Sequence, residues 1–182
     1  MWWNWIVMNL EDALSMIRDI PDYPKPGILF KDITPLLANP SAYSTVIKAF
    51  ASKIDDVDVI AGIEARGFIF AAAIALEKNA GFVPFRKSGK LPFETIGAKY
   101  GLEYGEDEIE VHVDAFANGK SVVIVDDVLA TGGTIAAALE LAERSGAVVK
   151  SVHVLFEISG LGGRELIAKR FPKIEIKSLV AS

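Results

Sequence analysis

The 182-residue chain contains no cysteine, only two histidines and no apolar run long enough to span a bilayer. Without cysteine it can form neither a disulfide framework nor a thiolate-ligated metal site, and it has no thiol nucleophile. Its 19 basic and 24 acidic residues give a net charge of −5. Such a chain lacks the basic surface that binds nucleic acid or anionic lipid. We therefore expect neither nucleic acid nor a membrane as its partner.

The apolar start of the chain, residues 1–8, holds all three tryptophans. It is far shorter than the roughly 20 residues of a membrane span, and it lacks the basic start and cleavage site of a signal peptide. We interpret it as a mobile extension. The whole chain, residues 1–182, shows no linker or repeat and reads as a single domain, and the lack of cysteine is compatible with a reducing compartment such as the cytoplasm.

Hydrophobic periodicity predicts alternating helices and strands. Helices are expected at 10–20, 40–54, 68–79, 134–144 and 161–170, and strands at 57–61, 82–85, 108–113, 121–125, 148–156 and 174–179. Residues 86–104 and 126–133 are expected to be loops, the first a long one that could contain a hairpin. This order predicts an α/β fold with a mostly parallel twisted sheet flanked by helices. Ligands in such folds bind beyond the carboxyl ends of the strands.

The most informative motif spans residues 122–134, Val-Val-Ile-Val-Asp-Asp-Val-Leu-Ala-Thr-Gly-Gly-Thr. A buried strand ends in two carboxylates, Asp126 and Asp127, and a loop of small residues leads into a helix. Gly132 and Gly133 let the backbone approach a ligand, and the helix start offers N–H groups to an anion. The two carboxylates would repel phosphate, so ribose hydroxyls or Mg²⁺ are their expected partners. The loop lacks the lysine of a Walker A motif and the spacing of a dinucleotide fingerprint.

This motif resembles the phosphoribosyl-pyrophosphate signature of the type I phosphoribosyltransferases. Further segments at 23–34, 64–68, 82–87, 89–92 and 102–105 resemble the members of that family that act on adenine, and they occur in the same order. The resemblance implies transfer of a phosphoribosyl group from phosphoribosyl pyrophosphate to adenine, giving AMP and pyrophosphate. It also implies Mg²⁺ held mainly through the substrate, a homodimer, and a small hood over the base formed by residues 9–35.

The resemblance assigns roles to individual residues. Binding of the 5-phosphate and ribose falls to Asp126, Asp127, Ala130, Thr131, Gly132, Gly133 and Thr134. Binding of pyrophosphate falls to Glu64, Ala65, Arg66, Gly67, Arg86, Lys87 and Lys90. Adenine would contact Leu29, Phe30, Lys31 and Ile158. The catalytic candidates are Asp126, Asp127 and Glu103, the last for proton handling at the base, and Tyr104 would belong to a flexible loop that closes over the site.

Two alternatives remain open from the sequence. The chain could act on another purine base, although the segment at 23–34 argues against it. It could instead be a non-catalytic sensor of phosphoribosyl pyrophosphate, but sensors of this kind carry an added DNA-binding domain, for which the chain has neither the length nor the charge.

Overall fold

The computed structural model describes residues 8–102, 105–116 and 119–181. They group into two compact units, one ending at Lys53 and the other beginning at Ile54. Within the described ranges, no helix combines the length and the hydrophobicity that crossing a membrane would require. The expected mobile extension lies almost wholly outside these ranges.

The first unit contains three helices and a two-stranded hairpin. The helices are α1 (Leu10–Ser15), α2 (Thr34–Ala38) and α3 (Pro40–Ala51), and the strands are β1 (Arg18–Ile20) and β2 (Phe30–Asp32). Helix α3 begins as the sequence predicts, because the Asn39 side chain accepts hydrogen bonds from the N–H groups of Ser41 and Ala42, and Pro40 occupies the first turn.

The prediction of one helix over 10–20 was wrong in its second half. Helix α1 ends at Ser15, and Arg18 to Ile20 instead pair antiparallel with Phe30 to Asp32. Ion pairs Arg18–Asp32 at 3.1 Å and Lys31–Asp19 at 2.7 Å join the two short strands. The partner strand lies ten residues further along the chain, so the helical period of this segment could not reveal the pairing.

The second unit is a seven-stranded sheet with three helices. Its strands are β3 (Val59–Ile63), β4 (Gly81–Lys87), β5 (Thr95–Leu102), β6 (Gly105–His112), β7 (Ser121–Leu129), β8 (Val148–Glu157) and β9 (Glu175–Ala181). Its helices are α4 (Arg66–Glu77), α5 (Gly133–Arg144) and α6 (Gly163–Arg170). The strand order is β5-β6-β4-β3-β7-β8-β9, with β4, β3, β7, β8 and β9 parallel and β5 and β6 antiparallel at one edge. The predicted mostly parallel α/β sheet is confirmed.

Helices cover both faces of this sheet. On one face Gly62 of β3 lies against Ala71 and Phe68 of α4, so closely that a Cβ on Gly62 would stand 2.7 Å from that of Ala71. On the other face, α5 side chains such as Ile135 and Leu139 belong to one buried core with alternate residues of β3 and β7. Burial on both sides explains why β3 and β7 read as continuous apolar runs.

Two predicted loops are partly strand. Residues 95–102 form β5, which pairs along its whole length with β6. Strand β7 continues through Asp126 and Asp127 to Leu129, so the two acids lie within the strand and not after it. Val128 and Leu129 extend the pairing with β8, and this places the turn at Ala130 instead of Asp126.

Candidate active site

The site lies at the point in the sheet where the order of the strands reverses direction. From β3 the chain crosses through α4 to β4 on one side, whereas from β7 it crosses through α5 to β8 on the other. Strands β3 and β7 are neighbours, and the helices that follow them diverge to opposite faces of the sheet. Such a reversal predicts a crevice between their carboxyl ends, which is the position that α/β proteins use for ligands.

Asp126 and Asp127 reach this crevice from a dry environment. Their residues are 8% and 4% exposed, and the Asp127 backbone N–H donates to Oδ1 of Asp126 at 2.8 Å. Burial, and then the charge of Asp127, raise the pKa of Asp126 well above its usual value. Burial also raises the pKa of Asp127, although the nearby Arg66 guanidinium offsets part of the effect. Of the pair, Asp126 is the group that takes up a proton more readily.

Arg66 joins the two sides of the crevice. It is the first residue of α4, and its Nη2 lies 2.5 Å from Oδ2 of Asp127 as a close ion pair. The helix start approaches β7 tightly at Gly67, where a Cβ would stand 2.8 Å from the Val125 carbonyl oxygen and 2.9 Å from Oδ1 of Asp126. Only glycine fits without displacing the acid. The peptide bond between Glu64 and Ala65, just before the helix, is cis.

The loop after β7 is fixed by two glycines. Gly132 caps α5 with φ of +82°, a conformation that L side chains rarely adopt. It also packs against Gly163 at the start of α6, because a Cβ on Gly132 would stand 2.8 Å from the Gly163 carbonyl oxygen. Thr131 is exposed, and Ala130 and Thr134 are half-buried. The predicted phosphate loop is thus a tight turn that leads directly into the N-terminus of the twelve-residue helix α5. Such an arrangement suits an anion.

A carboxylate orders the cations predicted to bind pyrophosphate. Glu64 lies between β3 and α4 and is joined to Arg86 at 3.2 Å and to Lys90 at 2.5 Å. Lys87 contributes its backbone N–H to the same carboxylate at 2.9 Å. Of the predicted pyrophosphate residues, the structure therefore brings Glu64, Arg86 and Lys90 into one cluster, and it places Arg66 on Asp127.

The sequence did not reveal the partners of the Lys87 side chain. Its ammonium pairs with Asp107, and the Tyr100 hydroxyl donates to the same carboxylate at 3.0 Å. Asp107 and Tyr100 face each other across the β5–β6 hairpin. The sequence predicted a strand at 108–113, which overlaps β6, but assigned the residues of β5 to a long loop. Gly163 was also missed, although the pair Gly162-Gly163 before α6 is a signal for close backbone approach.

The residues predicted to contact adenine lie in both units. In the first unit Phe30 meets Tyr23 edge to face with ring centroids 5.2 Å apart, and Leu29 is 49% exposed. In the second unit Ile158 follows β8, and its N–H donates to the Leu129 carbonyl at 2.9 Å. Ile158 and Ala130 both line a pocket of about 130 Å³ that is bounded by the start of α6. Within the second unit, Ala130 of the predicted phosphate loop and the predicted purine contact Ile158 thus line one cavity.

Two predicted residues, Glu103 and Tyr104, lie outside the described residues. The described part of the predicted loop at 86–104 consists of the end of β4, the turn after it and strand β5.

The side chains at the crevice fit a cation that is coordinated jointly by protein and substrate, and not one that is coordinated by protein ligands alone. Across residues 8–102, 105–116 and 119–181, no three carboxylate or imidazole side chains gather as metal ligands. Asp126 and Asp127 bring two carboxylates to the end of β7, and Arg66 already pairs with one of them. Mg²⁺ favours one or two carboxylates together with water and substrate phosphates, so these residues suit a metal that arrives with its substrate.

Comparisons with known proteins agree with this geometry. A model of the phosphoribosyl transferase domain matches residues 32–181. The adenine phosphoribosyltransferase of Acidothermus cellulolyticus is 55% identical over 172 residues, which cover 93% of this chain and 95% of that protein. The crystal structure of the enzyme from Thermoanaerobacter pseudethanolicus superposes with a TM-score of 0.89 at 48% identity, covering 96% of this chain and 100% of that one.

A third relative carries ligands. The Saccharomyces cerevisiae adenine phosphoribosyltransferase, solved with adenine and an imino-altritol bisphosphate, has a TM-score of 0.87 and 37% identity, covering 94% of this chain and 98% of that one. Sequence identity of this extent, sustained over nearly the full length of each relative, confirms the resemblance drawn from the motifs. The chain belongs to the phosphoribosyltransferase family, among the adenine phosphoribosyltransferases.

Proposed function

We propose that this protein transfers the phosphoribosyl group of phosphoribosyl pyrophosphate to N9 of adenine, giving AMP and pyrophosphate. The observation that carries the proposal is the buried pair Asp126–Asp127 at the end of β7, followed at once by the glycine-capped start of α5. Adenine as the base is supported by the relatives, one of which was solved with adenine and a sugar-like bisphosphate.

The loop after β7 binds the 5-phosphate in this proposal. The first N–H groups of α5, which begins at Gly133, have no carbonyl partner within the helix, and the helix dipole favours an anion there. The Thr131 and Thr134 hydroxyls add donors, and Ala130 keeps the turn small. Because Gly132 rests on Gly163, the loop is already shaped before a phosphate binds, so little ordering entropy opposes binding.

Asp126 and Asp127 hold the ribose hydroxyls. The reaction forms a bond from adenine N9 to C1 of the ribose and breaks the bond from C1 to the pyrophosphate oxygen, so positive charge develops on the sugar ring. A fixed anionic pair in a dry site stabilises that charge without reorganising at the moment of reaction. The Arg66 guanidinium opposes the effect of burial on the pKa of Asp127, and Asp126, whose pKa is raised further, is the group that carries any shared proton. Glu103 remains the candidate that takes the N9 proton.

Pyrophosphate leaves toward the turn between β3 and α4. Main-chain N–H groups at Ala65 to Gly67 and the Arg66 guanidinium are its proposed ligands, because guanidinium matches phosphate oxygens in a bidentate manner. Arg86, Lys87 and Lys90 supply further positive charge from the end of β4. Mg²⁺, bound with the substrate, supplies charge neutralisation of the pyrophosphate oxygens. The adenine contacts at Leu29, Phe30, Lys31 and Ile158, the closing of the loop at Tyr104 and the cytoplasmic location remain predictions.

A panel of bases tests the proposal. The full chain is incubated with phosphoribosyl pyrophosphate and adenine, hypoxanthine, guanine or xanthine, with Mg²⁺ or with a chelator, and nucleotide products are separated by chromatography. We expect AMP from adenine, little product from the other bases, and loss of product with the chelator. Turnover of hypoxanthine or guanine in preference to adenine would reassign the base. Binding of phosphoribosyl pyrophosphate without turnover of any base would favour a sensor.

A further inference from the structure

Each basic side chain that we assign to pyrophosphate already faces a carboxylate of the same chain. Arg66 pairs with Asp127, Lys87 pairs with Asp107, and both Arg86 and Lys90 pair with Glu64. Glu64 differs from the other two acids because it holds two of these cations at once. It also lies within the turn that is proposed to cradle pyrophosphate.

The contacts of Glu64 are dense. Its Oε2 accepts from Nε of Arg86 at 3.2 Å and from the Lys87 backbone N–H at 2.9 Å, and its Oε1 accepts from Nζ of Lys90 at 2.5 Å. The side chain is 9% exposed. Burial alone would raise the pKa of Glu64, but the Lys90, Lys87 and Arg86 donors outweigh it and hold the pKa at about 2. The group is therefore an anion at neutral pH.

An ionised carboxylate at this position repels the pyrophosphate anion. Pyrophosphate carries several negative charges and would use the same cations, so it must draw Arg86 and Lys90 away from Glu64 or share them with it. The two cationic side chains can move, since they are 33% and 49% exposed, whereas the carboxylate is fixed by the β4 backbone. Binding of pyrophosphate thus exchanges ion pairs for ion pairs, and its net gain is small.

We propose that Glu64 is a resident counter-anion that positions Arg86 and Lys90 and competes with pyrophosphate for them, which weakens the hold on this product and speeds its release. The inference rests on the proposed function, because it takes pyrophosphate as the leaving group. It gives Glu64 a role distinct from that of a pyrophosphate ligand, since its side chain repels the product and orders the cations that attract it.

The substitution Glu64→Gln separates this role from a structural one. Glutamine keeps the size and the carbonyl acceptor that the Lys87 N–H and the cations require, but it removes the charge. We expect the variant to bind pyrophosphate about 3- to 10-fold more tightly, the effect of releasing two partly exposed ion pairs. A role in structure alone predicts weaker or unchanged binding, because disordered cations bind less well.

The test is calorimetric titration of inorganic pyrophosphate, in excess Mg²⁺, into the full chain. Glu140→Gln is the matched control: Glu140 likewise bridges two cations, Arg144 at 3.5 Å and Arg170 at 3.1 Å, and its loss changes the net charge equally. Glu140 lies on α5, and we expect the Glu140→Gln variant to bind pyrophosphate with the affinity of the wild type. The tighter binding of Glu64→Gln should shrink when Lys90→Met is added, because the competition then concerns one cation fewer.

Glu64→Asp serves if the glutamine variant does not fold. Aspartate retains the charge but shortens the reach to Lys90. We therefore expect the Glu64→Asp variant to bind pyrophosphate more tightly than the wild type does, by a smaller factor than that expected for Glu64→Gln. If the wild type binds pyrophosphate and turns over adenine while neither variant binds more tightly, the counter-anion role is wrong. If the wild type neither binds pyrophosphate nor forms AMP, the proposed function itself fails.

Discussion

At the scale of single residues, the site is built from groups that oppose folding. Asp126 and Asp127 are adjacent carboxylates that are almost wholly buried, and the raised pKa of each records the free-energy cost of ionising them there. A protein selected for stability alone would place apolar residues at the end of β7, as it does along the rest of that strand. We attribute the retained acids to the charge that develops on the ribose ring, and the cost to the dry site in which that charge is best stabilised.

The Asp126→Asn substitution is expected to stabilise the fold while impairing the enzyme's activity. The folded-state pKa of Asp126 lies above its unfolded value of 3.8. The fold therefore loses stability as the pH rises from 3.8 through the folded-state pKa and the buried carboxyl ionises. The amide retains the acceptor for the Asp127 N–H. We expect the free energy of unfolding to rise by about 1–2 kcal/mol at neutral pH, measured by urea denaturation. A less stable variant would contradict this account.

Glu64 shows the opposite pH dependence. Its pKa falls from 4.5 to about 2 on folding, so it contributes stability above the unfolded value that is lost as the pH falls through the folded one. Wild type should exceed Glu64→Gln in unfolding free energy by about 1–3 kcal/mol at neutral pH. The difference should narrow below about pH 4 as the unfolded-state carboxyl becomes protonated. Parallel urea denaturation curves at several pH values measure it, and a gap that stays constant down to acid pH would be inconsistent with the lowered pKa.

At the scale of elements, strand β7 and the helix starts around it position the site. Parallel pairing with β3 and β8 fixes the height of Asp126 and Asp127 in the sheet. Close approaches at Gly67 and Gly163 then fix α4 and α6 against the strand end. The phosphate loop owes its shape to these contacts more than to its own sequence, so changes in neighbouring elements should alter substrate binding.

Gly163→Ala tests this dependence. A Cβ there would stand 2.2 Å from the Ala130 carbonyl oxygen, and because this neighbour is backbone it cannot rotate away, so the phosphate loop must shift. We expect kcat/KM for phosphoribosyl pyrophosphate to fall by about 10²-fold, as misplacement of a binding group commonly causes. Gly81→Ala, at the start of β4, is the control, because its Cβ would meet nothing nearer than 3.4 Å. Equal kinetics in the two variants would show that the contact with α6 is dispensable.

The motif and the local patterns predicted the elements that carry their own signals. Asn39-Pro40 marked the start of α3, and the apolar run of β7 marked the central strand, because capping and burial are encoded locally. Strand β5 was missed although Ile96, Ala98 and Tyr100 alternate with Gly97 and Lys99, since its glycines and basic neighbours suggested a loop. Its strand character comes from pairing with β6, and neighbouring segments alone do not specify that.

The site shows the same division. Sequence placed the two acids, the glycines and Arg66 at strand ends, which the sheet brings together. It could not show that Arg66 pairs with Asp127 or that Glu64 holds two cations, because these contacts join residues 22 to 61 positions apart in the chain. Nor could it show the partners of Lys87, since Asp107 becomes its neighbour only when the β5–β6 hairpin packs beside β4.

At the scale of the whole molecule, apolar side chains remain uncovered on the second unit. Leu76 is 85% exposed and Ile69, one heptad earlier on the same face of α4, is 38% exposed, as is Phe82 of β4. Exposed apolar groups concentrated on neighbouring elements are typical of interaction surfaces. They support the homodimer that the family resemblance implies. Light scattering coupled to gel filtration should give twice the mass of one chain, and a single-chain mass at assay concentration would contradict the dimer.

The central claim is that the buried acids and the glycine-capped helix start form one cradle for a phosphorylated pentose, and Asp127→Asn tests it most directly. AMP formation by this variant is compared with that of the wild type and of Asp56→Asn, a fully exposed acid. We predict that kcat/KM falls by about 10²- to 10³-fold in Asp127→Asn, the usual loss when a charge-stabilising group is removed, while its melting temperature stays close to that of the wild type. Asp56→Asn should leave turnover unchanged. An Asp127→Asn enzyme that is folded and forms AMP at the wild-type rate would contradict the account.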